Sequence, residues 1–256
     1  MLNMLIAPQN SPIADSMPQR LAHVRQELAR AAHACGRNED CITLVAISKG
    51  QAAAAVRELA HLGISHFGES YVQEAVPKLR LLADLPLTWH FVGRLQANKT
   101  RAVAENFAWV HSLDRLELAA RLSAARPHFA PPLNLCLQVK LADDRGKGGV
   151  GPAEAEALAI GVARLPRLRL RGLMCILPAG LSATAQIAHF HRAQALLADL
   201  QRAGLELDTL SMGMSGDYVA AVQAGATLLR LGTALFGVRP GRPDSAPIPG
   251  AAAPSP

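Results

Sequence analysis

The sequence is poor in aromatics, in lysine and in cysteine, and each shortage excludes something. Only 4% of its 256 residues are aromatic, so a platform of rings for stacking nucleic-acid bases is hard to build. The four cysteines, Cys35, Cys41, Cys136 and Cys175, are widely spread and form no CxxC pair. That spacing favours buried reduced thiols over disulfides or a metal site, and a cytoplasmic protein. No apolar run approaches the ~18 residues of a membrane span. The opening "MLNMLIAPQNSPIADSMPQR" has no basic segment ahead of a long apolar core, so neither a signal peptide nor a membrane partner is expected. Of the 26 basic residues 5 are Lys, which leaves 21 Arg. The net charge of +6 and pI of about 9.5 raise the question of nucleic acid. The arginines are scattered singly, however, and no zinc-finger or RNP-like pattern is present. A solvated, Arg-rich surface is the simpler reading, with no nucleic-acid partner.

What is present is an alternation. Residues 1–15 lack periodicity and read as a flexible tail. From Pro18, Leu21, Val24, Leu28 and Ala31/Ala32 recur at helical spacing up to Gly36. Eight strand-like apolar runs follow: "TLVAISK", "HFGES" with Ile64 before it, "TWHFVGRL", "FAWVHSL", "LNLCLQVKL", "LRGLMCIL", "DTLSMGMS" and "TLLRLGTALFG". Amphipathic helical stretches such as "QAAAAVRELAHLG" and "AQIAHFHRAQALLADLQRAG" lie between most of them. Strand then helix, repeated every 20 to 40 residues or so, argues for a parallel sheet covered by helices. Eight units after an extra N-terminal helix favour a single (β/α)8 TIM barrel over residues 16–238, with an open doubly wound sheet as the alternative. Residues 239–256, rich in Pro, Ala and Gly, read as a disordered tail.

In such a barrel, chemistry gathers where strands end at the C-terminal face. "GMSGD" places Met214 and Ser215 after the seventh strand and ahead of a helix, where free N–H groups favour an anion. "RLGTALFG" places Gly232 and Thr233 at the end of the eighth. Alone, each pattern is equally an ordinary cap or turn. Lys78 and Lys99 fall in polar helical stretches and read as surface residues, and Lys147 lies in a Gly-rich loop. Lys49 and Lys140 alone end apolar strands. Lys140 closes a polar stripe with Asn134 and Gln138, whereas Lys49 shares its face with Val45 and Ile47. Beside apolar neighbours an amine's charged form is disfavoured, and it stays nucleophilic near neutral pH. A nucleophilic lysine, a phosphate cradle and no metal constellation together suggest a Schiff base to a phosphorylated aldehyde, of which pyridoxal 5'-phosphate (PLP) is the obvious one. Arg230 shares strand parity with Gly232, and its guanidinium could donate to the pyridine nitrogen. Because Arg keeps its proton, that nitrogen would stay unprotonated and the ring would be a poor electron sink. The rival reading turns Arg230 outward to a carboxylate.

"LVAISKG", "HFGESYVQEAVPK", "WHFVGRLQANK", "VHSLDRLELAARL", "LRGLM" and "LDTLSMGMSGDYVAAVQAGATLLRLGTALFG" resemble, in order from about residue 18 to 238, the pyridoxal phosphate homeostasis protein family. The resemblance implies a barrel akin to the N-terminal domain of alanine racemases. It implies Lys49 as the Schiff-base lysine, Ser215, Gly232 and Thr233 at the phosphate, and Arg230 at the pyridine nitrogen. It also implies a carrier or regulator of PLP without an established turnover reaction. Three departures stand out. Gly50 replaces a common Thr, Ser70 stands where the family has an Asn near the cofactor, and Lys140 replaces a neutral residue, often Asn. The first two bear on how tightly PLP is held, and the third adds an amine near the mouth. Lys147 keeps the family's loop lysine, which leaves cofactor hand-over by a second lysine open.

The expectation is therefore a monomeric PLP-binding protein of vitamin B6 homeostasis, with PLP-dependent apoenzymes as its partners. The enzyme alternative is a fold-type III racemase or decarboxylase, which is expected to add a β-rich domain supplying a Tyr or Cys; here the barrel runs into the Pro/Ala tail. A plain phosphate-sugar-binding barrel is the third reading, and it would have no need of Lys49.

Overall fold

Alternation of side chains along short strands decides this architecture. The computed structural model describes residues 16–141 and 148–237. The tails read at 1–15 and 239–256, residue 238 at the end of the barrel, and Lys147 lie outside the described residues. The chain runs α1 (Met17–Ala34), β1 (Thr43–Ile47), α2 (Ala53–His61), β2 (His66–Glu69), α3 (Val72–Leu81), β3 (Thr88–Phe91), α4 (Thr100–Asn106), β4 (Trp109–Leu113), α5 (Leu116–Ala125), β5 (Leu133–Gln138), α6 (Pro152–Ala163), β6 (Leu168–Met174), α7 (Ala183–Arg202), β7 (Thr209–Ser211), α8 (Tyr218–Gln223), β8 (Leu228–Leu231) and α9 (Thr233–Phe236). Each of the eight expected runs supplies one strand. All pair in parallel and in sequence order, and β1 pairs with β8 to close the barrel. The open-sheet alternative is thereby excluded.

Along β1, Val45 and Ile47 face the barrel interior with Trp109, Cys136, Met174 and Leu228. Ala46 faces outward into the larger core between strands and helices, and Leu44 packs against that core. The same period of two turns Arg230 and Leu228 inward and Leu229 and Leu231 outward. The N-terminal helix α1 begins at a capping box, with Ser16 accepting from Gln19 and Gln19 reaching back. Its buried stripe of Leu21, Val24, Leu28, Ala31 and Ala32 packs over α8 and α9. Burying each Leu or Val there contributes roughly 1.5–3 kcal/mol. That helix therefore braces the two elements that carry the seventh and eighth strand ends.

Two expectations are corrected here. Cys136 and Cys175 are buried free thiols, but Cys35 and Cys41 are exposed. Lys78 is not a surface residue: it is 6% exposed, on the inner side of α3.

Candidate functional site

Lys49 lies two residues past the end of β1, half-buried at the C-terminal rim. Both peptide neighbours of Lys49 are tied to one buried charge cluster. On one side the Ser48 hydroxyl donates to Glu69 Oε1 at 2.7 Å. Lys78 Nζ donates to the Ser48 carbonyl (2.8 Å), to Glu69 Oε1 (2.6 Å) and to Glu74 Oε1 (2.9 Å). On the other side the Gly50 N–H donates to the same Glu74 Oε1. Burial raises the Glu69 carboxyl pKa against the opposing pull of Lys78 and Ser48, and its Oε2 has no hydrogen-bond partner. The cluster fixes the backbone that carries Lys49 without engaging the inner wall of Val45 and Ile47.

Arg230 points into the barrel and is 4% exposed. Its Nη1 donates to Ser211 Oγ at 2.7 Å and its Nη2 to the Cys175 carbonyl at 2.8 Å. The outward reading with a carboxylate partner is corrected: both partners are neutral and lie inside. Burial lowers the guanidinium pKa, yet an arginine stays cationic at neutral pH. These bonds use two of the five N–H donors of a guanidinium. The buried thiols of Cys136 and Cys175 are pushed up to about 12 by burial, so neither competes as a nucleophile.

The rim is built by β7 and β8. Gly213 has φ +93°, and a Cβ there would lie 2.7 Å from Ala221 Cβ, so only glycine lets the chain turn into the 214–217 loop. Asp217 Oδ1 accepts from Met214 N–H at 2.6 Å and holds that loop. Ser215 Oγ accepts from the Ala234 N–H at 3.2 Å, which joins the loop after β7 to the first turn after β8. Gly232 sits beside Ile47, whose Cβ and carbonyl oxygen would each lie 3.7 Å from a Cβ added there. Closure of the barrel thus brings Ser215, Gly232 and Thr233 next to the strand that carries Lys49. Ser70 follows β2 directly, and its carbonyl packs so closely on Gly93 that a Cβ there would lie 2.0 Å away. Lys140 is exposed beyond the end of β5.

The stretches quoted above contain His66, His90, His111 and Ser211, but sequence reasoning assigned none of them a role. All four lie on the inner face of the barrel. His66 Nδ1 meets His90 Nε2 at 2.9 Å, His90 Nδ1 meets His111 Nε2 at 2.9 Å, and His111 Nδ1 meets Ser211 Oγ at 2.7 Å. The chain ends on Arg230. Among the described residues no group of three or more His, Cys, Asp or Glu is arranged to hold a metal ion. The inward parity of His66, His90 and His111 was readable; their meeting across three strands was not.

A family model described as "Alanine racemase, N-terminal domain" matches residues 19–240. The chain is 51% identical over 224 residues to the Pyridoxal phosphate homeostasis protein of Pseudomonas aeruginosa, covering 88% of this chain and 96% of that one. Among solved structures it resembles PipY of Synechococcus elongatus with PLP bound, at 43% identity and a TM-score of 0.77 over 87% of this chain and 100% of that one. It also resembles alanine racemase from Corynebacterium glutamicum at 19% identity and a TM-score of 0.63, over 86% of this chain and 61% of that one, which shows the shared fold alone. With the near-complete match to the Pseudomonas relative, this chain belongs to the pyridoxal phosphate homeostasis protein family, built on the alanine racemase N-terminal domain.

Proposed function

We propose that this protein binds PLP, holds it through a Schiff base on Lys49, and serves intracellular vitamin B6 homeostasis rather than turning over a substrate. The observation that carries this reading is the convergence of three kinds of group on one rim. A half-buried lysine follows β1, the loop after β7 is tied to the first turn after β8 through Ser215 and Ala234, with Gly232 beside Ile47, and an interior arginine on β8 donates to neutral partners. These residues fit a phosphorylated heteroaromatic aldehyde. When bound, PLP supplies an aldehyde that captures amines and a ring that can draw electrons from them. Lys49 supplies the amine, Ser215 and Thr233 supply hydroxyls for the phosphate, with Gly232 giving close backbone approach, and Met214 and Ser70 border the cofactor. Arg230 donates to the ring nitrogen and cannot give up its proton, which keeps the ring a weak electron sink. PipY, 43% identical, was crystallised with PLP, which supports the same cargo here.

The form proposed is a monomer that hands PLP to apoenzymes. Free thiols at all four cysteines fit a reducing cytoplasm. Among the described residues no helix is long and apolar enough to cross a membrane.

Borohydride reduction of the PLP-loaded protein followed by peptide mapping tests the assignment. The label is expected on Lys49, with the visible absorption lost in Lys49→Ala; a label on Lys140 or Lys147 with Lys49 unmodified would overturn it. The same preparation, given a panel of L-amino acids, should racemise or decarboxylate none faster than free PLP by more than a small factor. Rapid conversion of any one would instead establish the enzyme alternative.

A further inference from the structure

The interior chain His66–His90–His111–Ser211–Arg230 has a direction, and the direction follows from donor counting. Arg230 can only donate, so Ser211 Oγ accepts from Nη1. Ser211 is 1% exposed, and a buried hydroxyl proton left without an acceptor is costly. The acceptor in reach is His111 Nδ1 at 2.7 Å. His111 then carries its single proton on Nε2 and donates to His90 Nδ1. By the same step His90 is protonated on Nε2 and donates to His66 Nδ1. His66, the half-buried member, carries its proton on Nε2 as well. Every lone pair in the chain therefore points toward Arg230, and every N–H points away from it.

The opposite direction fails at one atom. If His111 donated from Nδ1, Ser211 would face two donors and its own proton would have no partner. An added proton on any imidazole has the same result, because it reverses each bond between itself and Arg230. The surroundings reinforce neutrality. Trp109 stacks on His90 at 5.5 Å, Arg171 lies over Trp109 at 4.9 Å, and Cys136 and Cys175 are buried nearby. The cation that faces the chain is Arg230 at one end, which disfavours an imidazolium, while Arg171 behind Trp109 is paired with Asp208. Burial together with Arg230 holds His111 down to about 3, and burial with its histidine neighbours holds His90 well below its ordinary value.

We propose that His66, His90, His111 and Ser211 are positioning residues, a one-way hydrogen-bond chain that locks Arg230 as a donor toward the cofactor's ring nitrogen. The part concerning the cofactor rests on the PLP reading above; the polarity of the chain does not. The chain gives Ser211 a fixed acceptor role, and Ser211 with the Cys175 carbonyl holds the guanidinium plane. The remaining donors of Arg230 are then set for a ligand atom with a free lone pair, an unprotonated heteroaromatic nitrogen.

The polarity can be read in the cofactor-free protein by long-range 1H–15N spectroscopy of its histidines. His66, His90 and His111 are each expected as the Nε2–H tautomer, with His90 and His111 unchanged from pH 8 to pH 5. A majority Nδ1–H tautomer at any of the three, or titration of His90 near pH 6.5, overturns the proposal. In Arg230→Met the serine is free to reverse, and mixed tautomers are expected as far away as His66. An unaltered His66 tautomer in that variant counts equally against it. The consequence for the site is tested by PLP affinity. His111→Leu removes the serine's acceptor and should bind PLP about tenfold more weakly. His111→Asn, whose carbonyl can stand in for Nδ1, should recover most of that loss. Packing alone predicts the reverse order, since Leu suits a buried site better than Asn, so equal or tighter binding by His111→Leu sinks the positioning role. Failure of wild-type protein to bind PLP at all would instead refute the PLP reading and leave the tautomer result standing.

Discussion

At the scale of single residues, the proposed phosphate end of the site rests on Ser215 and Thr233. The Ser215 hydroxyl already ties the two rim loops through Ala234 N–H, so removing it loosens the cradle as well as deleting a donor. One hydrogen bond to a charged acceptor contributes about 1.5–3 kcal/mol. Ser215→Ala and Thr233→Val should each weaken PLP binding roughly ten- to a hundredfold by fluorescence titration, with little effect on thermal stability. Wild-type affinity in either variant would remove that residue from the site. Their place in the fold was readable because chain order and strand parity suffice to find it. "GMS" and "GT" follow the last two strands, and closure sets Gly232 beside Ile47 of β1. Lys78 was not readable. A polar helix interrupted by Pro77 looks like a surface element, and only the docking of α3 shows Lys78 in contact with Glu69.

At the scale of elements, that docking is what presents Lys49. This strand end has Val45 and Ile47 on its inner side and a charge cluster outside, and the cluster joins the end of β1 to β2 and α3 through Ser48, Glu69, Glu74 and Lys78. Glu69 is 0% exposed, so it depends on its partner. Deleting one member of a buried ion pair leaves an uncompensated charge, at a cost of about 3–5 kcal/mol. Lys78→Met should lose stability of that order in urea unfolding and release the backbone around Lys49, slowing PLP capture. Lys78→Met combined with Glu69→Gln should recover much of the loss, because the stranded charge is gone. A single variant as stable as wild type would show that the cluster does not hold the strand end. The histidine chain belongs to this scale as well. Each ring was visible as an inward residue, but which rings meet depends on register: Gly68 pairs with His90, His90 with Trp109, and Met174 with Ser211. No pattern within one strand carries that information.

For the whole molecule, the interior of this barrel departs from a fully apolar filling. Its apolar inner cluster is small, Val45, Ile47, Trp109, Cys136, Met174 and Leu228, and a neutral polar chain occupies space that other barrels give to branched aliphatics. This makes the fold acid-sensitive in a specific window. His90 and His111 have folded pKa values far below 6.5, His111 at about 3, while in the unfolded chain both take up protons near 6.5. The stability they confer is therefore complete above pH 6.5 and is lost as pH falls toward their folded values. In that interval the unfolded state binds more protons, and each histidine steepens the loss by about 1.4 kcal/mol per pH unit. Glu69 acts oppositely. Burial raises its carboxyl pKa, so there the folded state is the one that holds the extra proton, which softens the fall. Urea unfolding at pH 7.5, 6.5, 5.5 and 4.5 should give nearly constant stability across the first pair and a steep decline across the last two. His90→Phe with His111→Leu, provided the double variant folds, should flatten that decline even if it is less stable at pH 7.5. A wild-type profile that stays level from pH 6.5 to 4.5 would mean that these imidazoles charge within the folded barrel, and that its interior is not closed to protons.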